Sequence, residues 1–196
     1  MKRVICMIVL LALAFPAALG EDTVITLTCA GDALLGCNEK VRATDYAFDR
    51  YIERYGYEYP FAGLQDLFAH DDITLVNLEV VLSDEIDPAA AKSRYAFRGP
   101  TDYAKILTAG SVEVVNLANN HTDDHGVAGC QSTIAALEKE GVRYCGSTEH
   151  GSYTYIYEKN GIKIGFIGVL PAYWAKDQKC KDDLIAKFGE LDEAGC

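Results

Sequence analysis

Ser111-Val-Glu-Val-Val-Asn-Leu-Ala-Asn-Asn-His-Thr-Asp-Asp-His-Gly126 decides how this chain folds. The apolar positions Val112, Val114 and Val115 read as a buried strand. That strand runs into the stretch from Asn116 to Gly126, which is crowded with amide, imidazole and carboxylate groups. A helix N-cap needs one polar side chain at such a junction, not five, so packing does not account for the cluster. A metal ion or a phosphoryl group does. Downstream, Val127, Ile134, Ala135 and Leu137 fall at helical spacing over residues 126–140, and Gly141 stands where a left-handed residue closes a helix.

Working outward, residues 24–30 form an apolar run that ends at Gly31-Asp32, and residues 73–76 form another that ends at Asn77-Leu78-Glu79. Between them, residues 45–70 are rich in Tyr and Phe, with a helix break at Pro60. The aromatics from Tyr46 to Phe68 read as core and lid packing. A loop carrying Lys92, Arg94, Phe97, Arg98 and Pro100 leads to a short helix over residues 103–109. Beyond Tyr144 the β-rich runs 153–158 and 162–169 are joined by Lys159-Asn160-Gly161, and Asn-Gly is the strongest short hairpin signal. Residues 177–193 read as an amphipathic helix. The sequence contains no repeat, low-complexity tract or interdomain linker.

Strands separated by helices imply an α/β fold with a mainly parallel sheet covered on both faces. In such sheets ligands bind outside the carboxyl ends of the strands. Three successive strands end in potential ligands: Asp32, then Glu79, then Asn119, Asn120, His121 and Asp124. Carboxylates with an amide oxygen and an imidazole suit divalent Mn, Fe or Zn. A bridging carboxylate is the feature of two-metal hydrolytic centres, and His121 is placed to act as general acid. Singly, Gly31-Asp32 is an ordinary turn and Asn77 an ordinary Asx-turn residue; their order at successive strand ends is what raises them. Lys92, Arg94 and Arg98 form the basic island of an acidic chain. They read either as a solvated loop or as a handle for carboxylates or phosphates.

At 196 residues the chain suffices for one domain, residues 21–196, after a leader over residues 1–20. In that leader Lys2 and Arg3 precede an apolar run shorter than the roughly 20 residues of a spanning helix, and Ala18-Leu19-Gly20 suits a signal peptidase. This pattern predicts export to the cell surface or medium; an uncleaved N-terminal membrane anchor is the alternative. The formal net charge is −11, and losing Lys2 and Arg3 takes it to −13. Such a surface excludes nucleic acid as a partner and favours cations. Six cysteines remain after Cys6 of the leader, without metal-knuckle spacing, and buried or unlinked thiols are expected, Cys29 among the buried ones.

Gly31-Asp32-Ala-Leu-Leu-Gly36, Asn77-Leu78-Glu79, Tyr95-Ala-Phe-Arg98 and Asn116 to Gly126 together resemble the CapA-type family. This is the poly-γ-glutamate capsule biosynthesis group of the calcineurin-like metallophosphatase superfamily, and the resemblance covers the chain from Val24 to its tail. It implies a metallophosphatase-like αββα sandwich and a cell-surface role in making or exporting an anionic polymer. It also implies Asp32 as a first metal ligand, Glu79 as the bridging carboxylate and Asn120 as a ligand of a second ion. His121 becomes the catalytic or orienting imidazole and Asp124 the partner that sets its tautomer; apart from the resemblance, Arg94, Arg98 and Asn119 are read as candidate substrate contacts.

Two departures stand out. The family more often carries an aromatic residue at His125, and its members continue into a His-x-Gly-x-Glu segment that does not occur here, where His70 and His150 lie outside any such motif. The chain therefore reads as the N-terminal portion of that fold. The expected activity is metal-assisted phosphoester or amide hydrolysis on a capsular polymer. The rival is a non-catalytic accessory subunit that binds the polymer or membrane synthase subunits.

Overall fold

The computed structural model describes residues 24–146, 153–170 and 176–196. Along the chain these form β1 (Leu27–Ala33), α1 (Glu39–Arg42), α2 (Phe48–Tyr55), α3 (Gln65–Phe68), β2 (Ile73–Leu78), β3 (Val81–Leu82) and β4 (Arg98–Gly99). There follow α4 (Ala104–Ala109), β5 (Val114–Asn116), α5 (Gly126–Glu140), β6 (Arg143–Cys145), β7 (Thr154–Lys159), β8 (Ile162–Ile167) and α6 (Gln178–Glu193). The expected leader, residues 1–20, lies outside the described residues. Among the described residues no helix is long and apolar enough to cross a membrane.

Four strands pair in the order β1-β2-β5-β6, each neighbour pair parallel. The helical crossovers make this inevitable, because parallel neighbours cannot be joined by tight turns. The central strands are buried on both faces: Ile73, Leu78, Val114 and Val115 are inaccessible. Val76, Leu78 and Val115 join Ile106 and Leu107 of α4 and Ile134 and Leu137 of α5 in the main core. The alternate residues Ile73 and Val114, with Cys145, meet Phe166 of the β7–β8 hairpin and are flanked by Tyr155, Tyr157 and Ile164. On the hairpin's other side lies α6, whose Leu191 packs onto Gly165, while Lys163 Nζ donates to the Ala194 carbonyl at 2.7 Å. The layers therefore run helices, parallel sheet, hairpin, helix. This is the expected α/β architecture, part of an αββα sandwich whose second sheet has two strands among the described residues.

Several local expectations hold in atomic detail. Asn160 and Gly161 adopt φ of 54° and 78°, the left-handed pair that a type I′ hairpin turn requires. Gly141 closes α5 at φ 75°, and Asp177 caps α6 by accepting from the Cys180 N–H at 2.9 Å. Pro60 sits in a 3₁₀ turn, Tyr59–Phe61, between α2 and α3.

Other elements differ from the sequence reading. β1 starts later and continues through Gly31-Asp32 to Ala33, because an irregularity between Cys29 and Asp32 re-registers it on β2. β6 and the parallel pair β3–β4 are only two or three residues long, too short to leave a periodic signal. No disulfide joins the six cysteines from Cys29 to Cys196. Burial pushes the Cys145 thiol up to about 11. Cys29, expected to be buried, is exposed because β1 is a sheet edge.

Candidate functional site

The parallel register brings Asp32, Asn77 and Asn116 side by side at the carboxyl ends of β1, β2 and β5. Their side chains form a ladder. Asn77 Nδ2 donates to Asp32 Oδ1 at 2.8 Å, and Asn77 Oδ1 accepts from Asn116 Nδ2 at 2.9 Å and from Asn119 Nδ2 at 3.1 Å. Asn119 Nδ2 also reaches the Leu78 carbonyl at 2.9 Å, and its Oδ1 accepts from the His121 N–H at 2.9 Å. Thr122 Oγ1 donates to the Leu117 carbonyl. These bonds hold the irregular loop after β5 in one conformation, supplying the partners its backbone lacks outside a sheet.

The loop delivers His121 between two carboxylates. Its Nδ1 lies 2.8 Å from Asp124 Oδ2 and its Nε2 lies 3.7 Å from Glu79 Oε1. Asp124 Oδ2 also accepts from the Phe97 N–H at 2.8 Å, and the Phe97 ring lies 4.7 Å from the imidazole, centroid to centroid. An ionised Asp124 accepts only, so it places the proton on Nδ1 and leaves the Nε2 lone pair toward Glu79. Glu79 holds its proton more tightly than an ordinary carboxyl. Burial is the largest cause, the neighbouring Asp32 charge adds to it, His121 partly offsets it, and Asp124 raises it further. A partly buried acid, an oriented imidazole and a second acid thus stand in line at the sheet edge.

Asp32 and Glu79 are neighbouring like charges, and a bound cation would relieve their repulsion. This donor set fits one hard or intermediate divalent ion on an open-sided site. Among the described residues, no three His, Cys, Asp or Glu side chains gather closely enough to hold an ion by themselves. Asn120 is exposed and stands apart from the hydrogen-bonded ladder.

Comparison with known proteins gives this geometry a lineage. The family model described as bacterial capsule synthesis protein PGA_cap matches residues 26–190. The chain belongs to the bacterial capsule synthesis family. It is 26% identical over 160 residues to the "Capsule biosynthesis protein CapA" of Bacillus anthracis, covering 79% of this chain and 37% of that protein. It is 24% identical over 156 residues to the "PGA biosynthesis protein CapA" of Bacillus subtilis (strain 168), covering 76% and 38%. The chain thus spans under two fifths of the length of the curated relatives it matches.

Within this capsule synthesis family member, the two arginines singled out from sequence part company. Arg98 lies in β4 and is 6% exposed; its Nε donates to Glu39 Oε1 at 2.9 Å and its Nη1 to the Ser83 carbonyl. That side chain ties loops together from inside and is not presented to a substrate. Arg94 is exposed, its guanidinium 4.6 Å from the Tyr95 ring centroid, three residues before the Phe97 that flanks His121. Asn119, expected to touch substrate, spends its amide inside the ladder. Gly36 faces Arg98 across a strand contact: a Cβ there would meet the Arg98 carbonyl oxygen at 2.4 Å. That close approach accounts for the second glycine of the Gly31-Asp32-Ala-Leu-Leu-Gly36 run.

Asn77 and Asn116 were missed as site residues. Their signal was present, because an Asn-Leu dipeptide closes β2 and another straddles the end of β5, and register then makes their amides neighbours.

Proposed function

We propose that this protein acts at the cell surface in the synthesis, export or trimming of an anionic capsular polymer such as poly-γ-glutamate, and that it does so as a metal-assisted hydrolase. The observation that carries this reading is the Glu79–His121–Asp124 line, because an oriented imidazole with a free Nε2 is what a proton-transfer step needs. Asp32 and Glu79 would hold the divalent ion, Mn, Fe or Zn, with Asn120 at the rim; when bound, the ion activates a phosphoester or amide toward water. Asp124 holds the imidazole in one tautomer, the free Nε2 of His121 takes up the proton that the attacking water releases and then passes it to the leaving group, and Phe97 shields one side of the ring from water. Arg94, exposed and three residues before Phe97, offers a cation for a polymer carboxylate or phosphate.

A second reading keeps the fold and drops the chemistry. A polymer-binding or synthase-binding accessory subunit is favoured by the exposure of Asp32 and Asn120 and by the sparse donor set. Metal analysis together with phosphodiesterase, phosphomonoesterase and γ-glutamyl amidase assays separates the two. The hydrolase reading expects about one Mn, Fe or Zn per chain and a loss of roughly 10²- to 10⁴-fold in turnover for His121→Ala. Less than that metal content, with turnover unaffected by His121→Ala, sinks it in favour of the accessory role.

A further inference from the structure

Arg98, read from sequence as a substrate contact, lies inside the fold, one residue from the Phe97 N–H that donates to Asp124. The strand that carries both contacts, β4, has only two residues. Its main chain is held by β3 on one side and by Cys37 on the other. The Val81 N–H donates to the Phe97 carbonyl at 3.2 Å and the Ser83 N–H to the Gly99 carbonyl at 2.9 Å, while Arg98 and Cys37 exchange N–H bonds at 3.1 and 3.2 Å. Just upstream, Arg94 and Tyr95 are exposed. So short a strand has few cross-strand pairs with which to fix the direction of the Phe97 N–H.

The Arg98 side chain supplies the further anchors. Its Nε donates to Glu39 Oε1 at 2.9 Å and its Nη1 to the Ser83 carbonyl. The first acceptor stands on α1 and the second just after β3, so one planar guanidinium ties β4 to both, a fork that a lysine ammonium cannot reproduce. His125 lies near enough to feel the Arg98 charge, yet it is buried with neither ring nitrogen hydrogen-bonded. It therefore takes none of the guanidinium N–H groups from Glu39 and Ser83.

From β4 to the imidazole each link is a direct contact. The Phe97 N–H reaches Asp124 Oδ2 at 2.8 Å, the same oxygen lies 2.8 Å from His121 Nδ1, and the Phe97 ring centroid lies 4.7 Å from that of the imidazole. Asp124 Oδ2 thus has two donors, and the direction of one is set by β4. We propose that Arg98 is a positioning residue for the His121–Asp124 pair: by fixing β4 it aims the Phe97 N–H at Asp124, and so steadies the carboxylate that keeps the His121 proton on Nδ1. Its weight in turnover rests on the proton-transfer reading of His121; the geometry it imposes does not.

Proton and ¹⁵N NMR of the full chain tests the proposal without relying on turnover. Arg98→Ala should lower the ratio of Nδ1–H to Nε2–H tautomer at His121 about fivefold, the equivalent of one hydrogen bond. It should also speed exchange of the Phe97 amide about tenfold and reduce the ring-current shift that Phe97 imposes on the imidazole. Glu39→Gln weakens one of the two anchors; it should move the same signals in the same direction by less, and it carries the test if Arg98→Ala does not fold. Leu191→Ala truncates the packing of α6 on Gly165, away from β4, and should leave all three signals in place although it lowers stability. In a hydrolytic assay Arg98→Ala should lower kcat with KM unchanged, where a lost substrate contact would raise KM. Unmoved His121 and Phe97 signals in the folded Arg98 and Glu39 variants, equal movement in Leu191→Ala, or a kinetic change confined to KM overturns the proposal. Signals that move as expected in a protein without turnover uphold the positioning role and count against the hydrolytic reading alone.

Discussion

Asn77→Ala and Asn77→Asp test whether the amide ladder holds the site together. Asn77 gives one hydrogen bond to Asp32 and accepts two, from Asn116 and Asn119. A net hydrogen bond contributes about 0.5–1.5 kcal/mol. Water can replace the exposed bond to Asp32, and Asn119 keeps its bond to Leu78, so the lasting deficit of Asn77→Ala is the stranded Asn116 amide and the slackened loop. A loss of about 2 kcal/mol is expected. Asn77→Asp keeps the acceptor but turns an oxygen toward Asp32 Oδ1, where 2.8 Å now separates two acceptors. At pH 7 the new carboxylate also repels Asp32, and its loss should match or exceed that of the alanine variant. Repulsion raises the folded-state proton affinity of this pair above its unfolded value. Stability from the shared proton is therefore present at low pH and lost as pH rises through the raised value. Urea denaturation followed by circular dichroism at pH 5 and pH 7, each variant referenced to the parent, reads both effects. An alanine variant within about 0.5 kcal/mol of the parent, or an aspartate variant no more pH-sensitive than the alanine one, would refute the ladder as a structural device.

Arg98→Ala should cost about 2 kcal/mol in the same denaturation assay, because it leaves the Ser83 carbonyl without its donor and Glu39 with only its longer ion pair to Arg42 at 3.4 Å; Arg94→Ala should cost almost nothing in stability. His125 has a folded proton affinity below its ordinary 6.5, so the unfolded chain binds the proton first. Stability should be full above about pH 6.5 and fall below it by up to about 1.4 kcal/mol per pH unit, a slope that His125→Phe removes. Asp124→Asn should lower any hydrolytic turnover by about 10- to 100-fold while preserving fold, since it unsettles the His121 tautomer without removing the ring. Unchanged kcat across the pH profile would count against that role.

The residues of the site were largely legible, because strand ends and polar density are local properties. Asp32, Glu79, Asn119, His121 and Asp124 do meet at one sheet edge. Arg98 was misplaced for a reason of the same kind: β4 is two residues long and pairs in parallel with β3, and so short a strand leaves no pattern to show that its charge points inward. Asn77 looked like an ordinary turn residue, and Asn116 had no assigned role within its cluster, because their partners are 45 and 39 positions away.

Hydrophobic periodicity and turn chemistry by themselves determined the α/β class, the α5 and α6 helices and the Asn160-Gly161 hairpin, since each depends on neighbours within a few residues. Only tertiary structure decided which polar groups face one another. Register between strands dozens of residues apart set the ladder, the orientation of His121 and the orphaned His125. Those pairings depend on distances across the sheet and between layers, which no local spacing encodes.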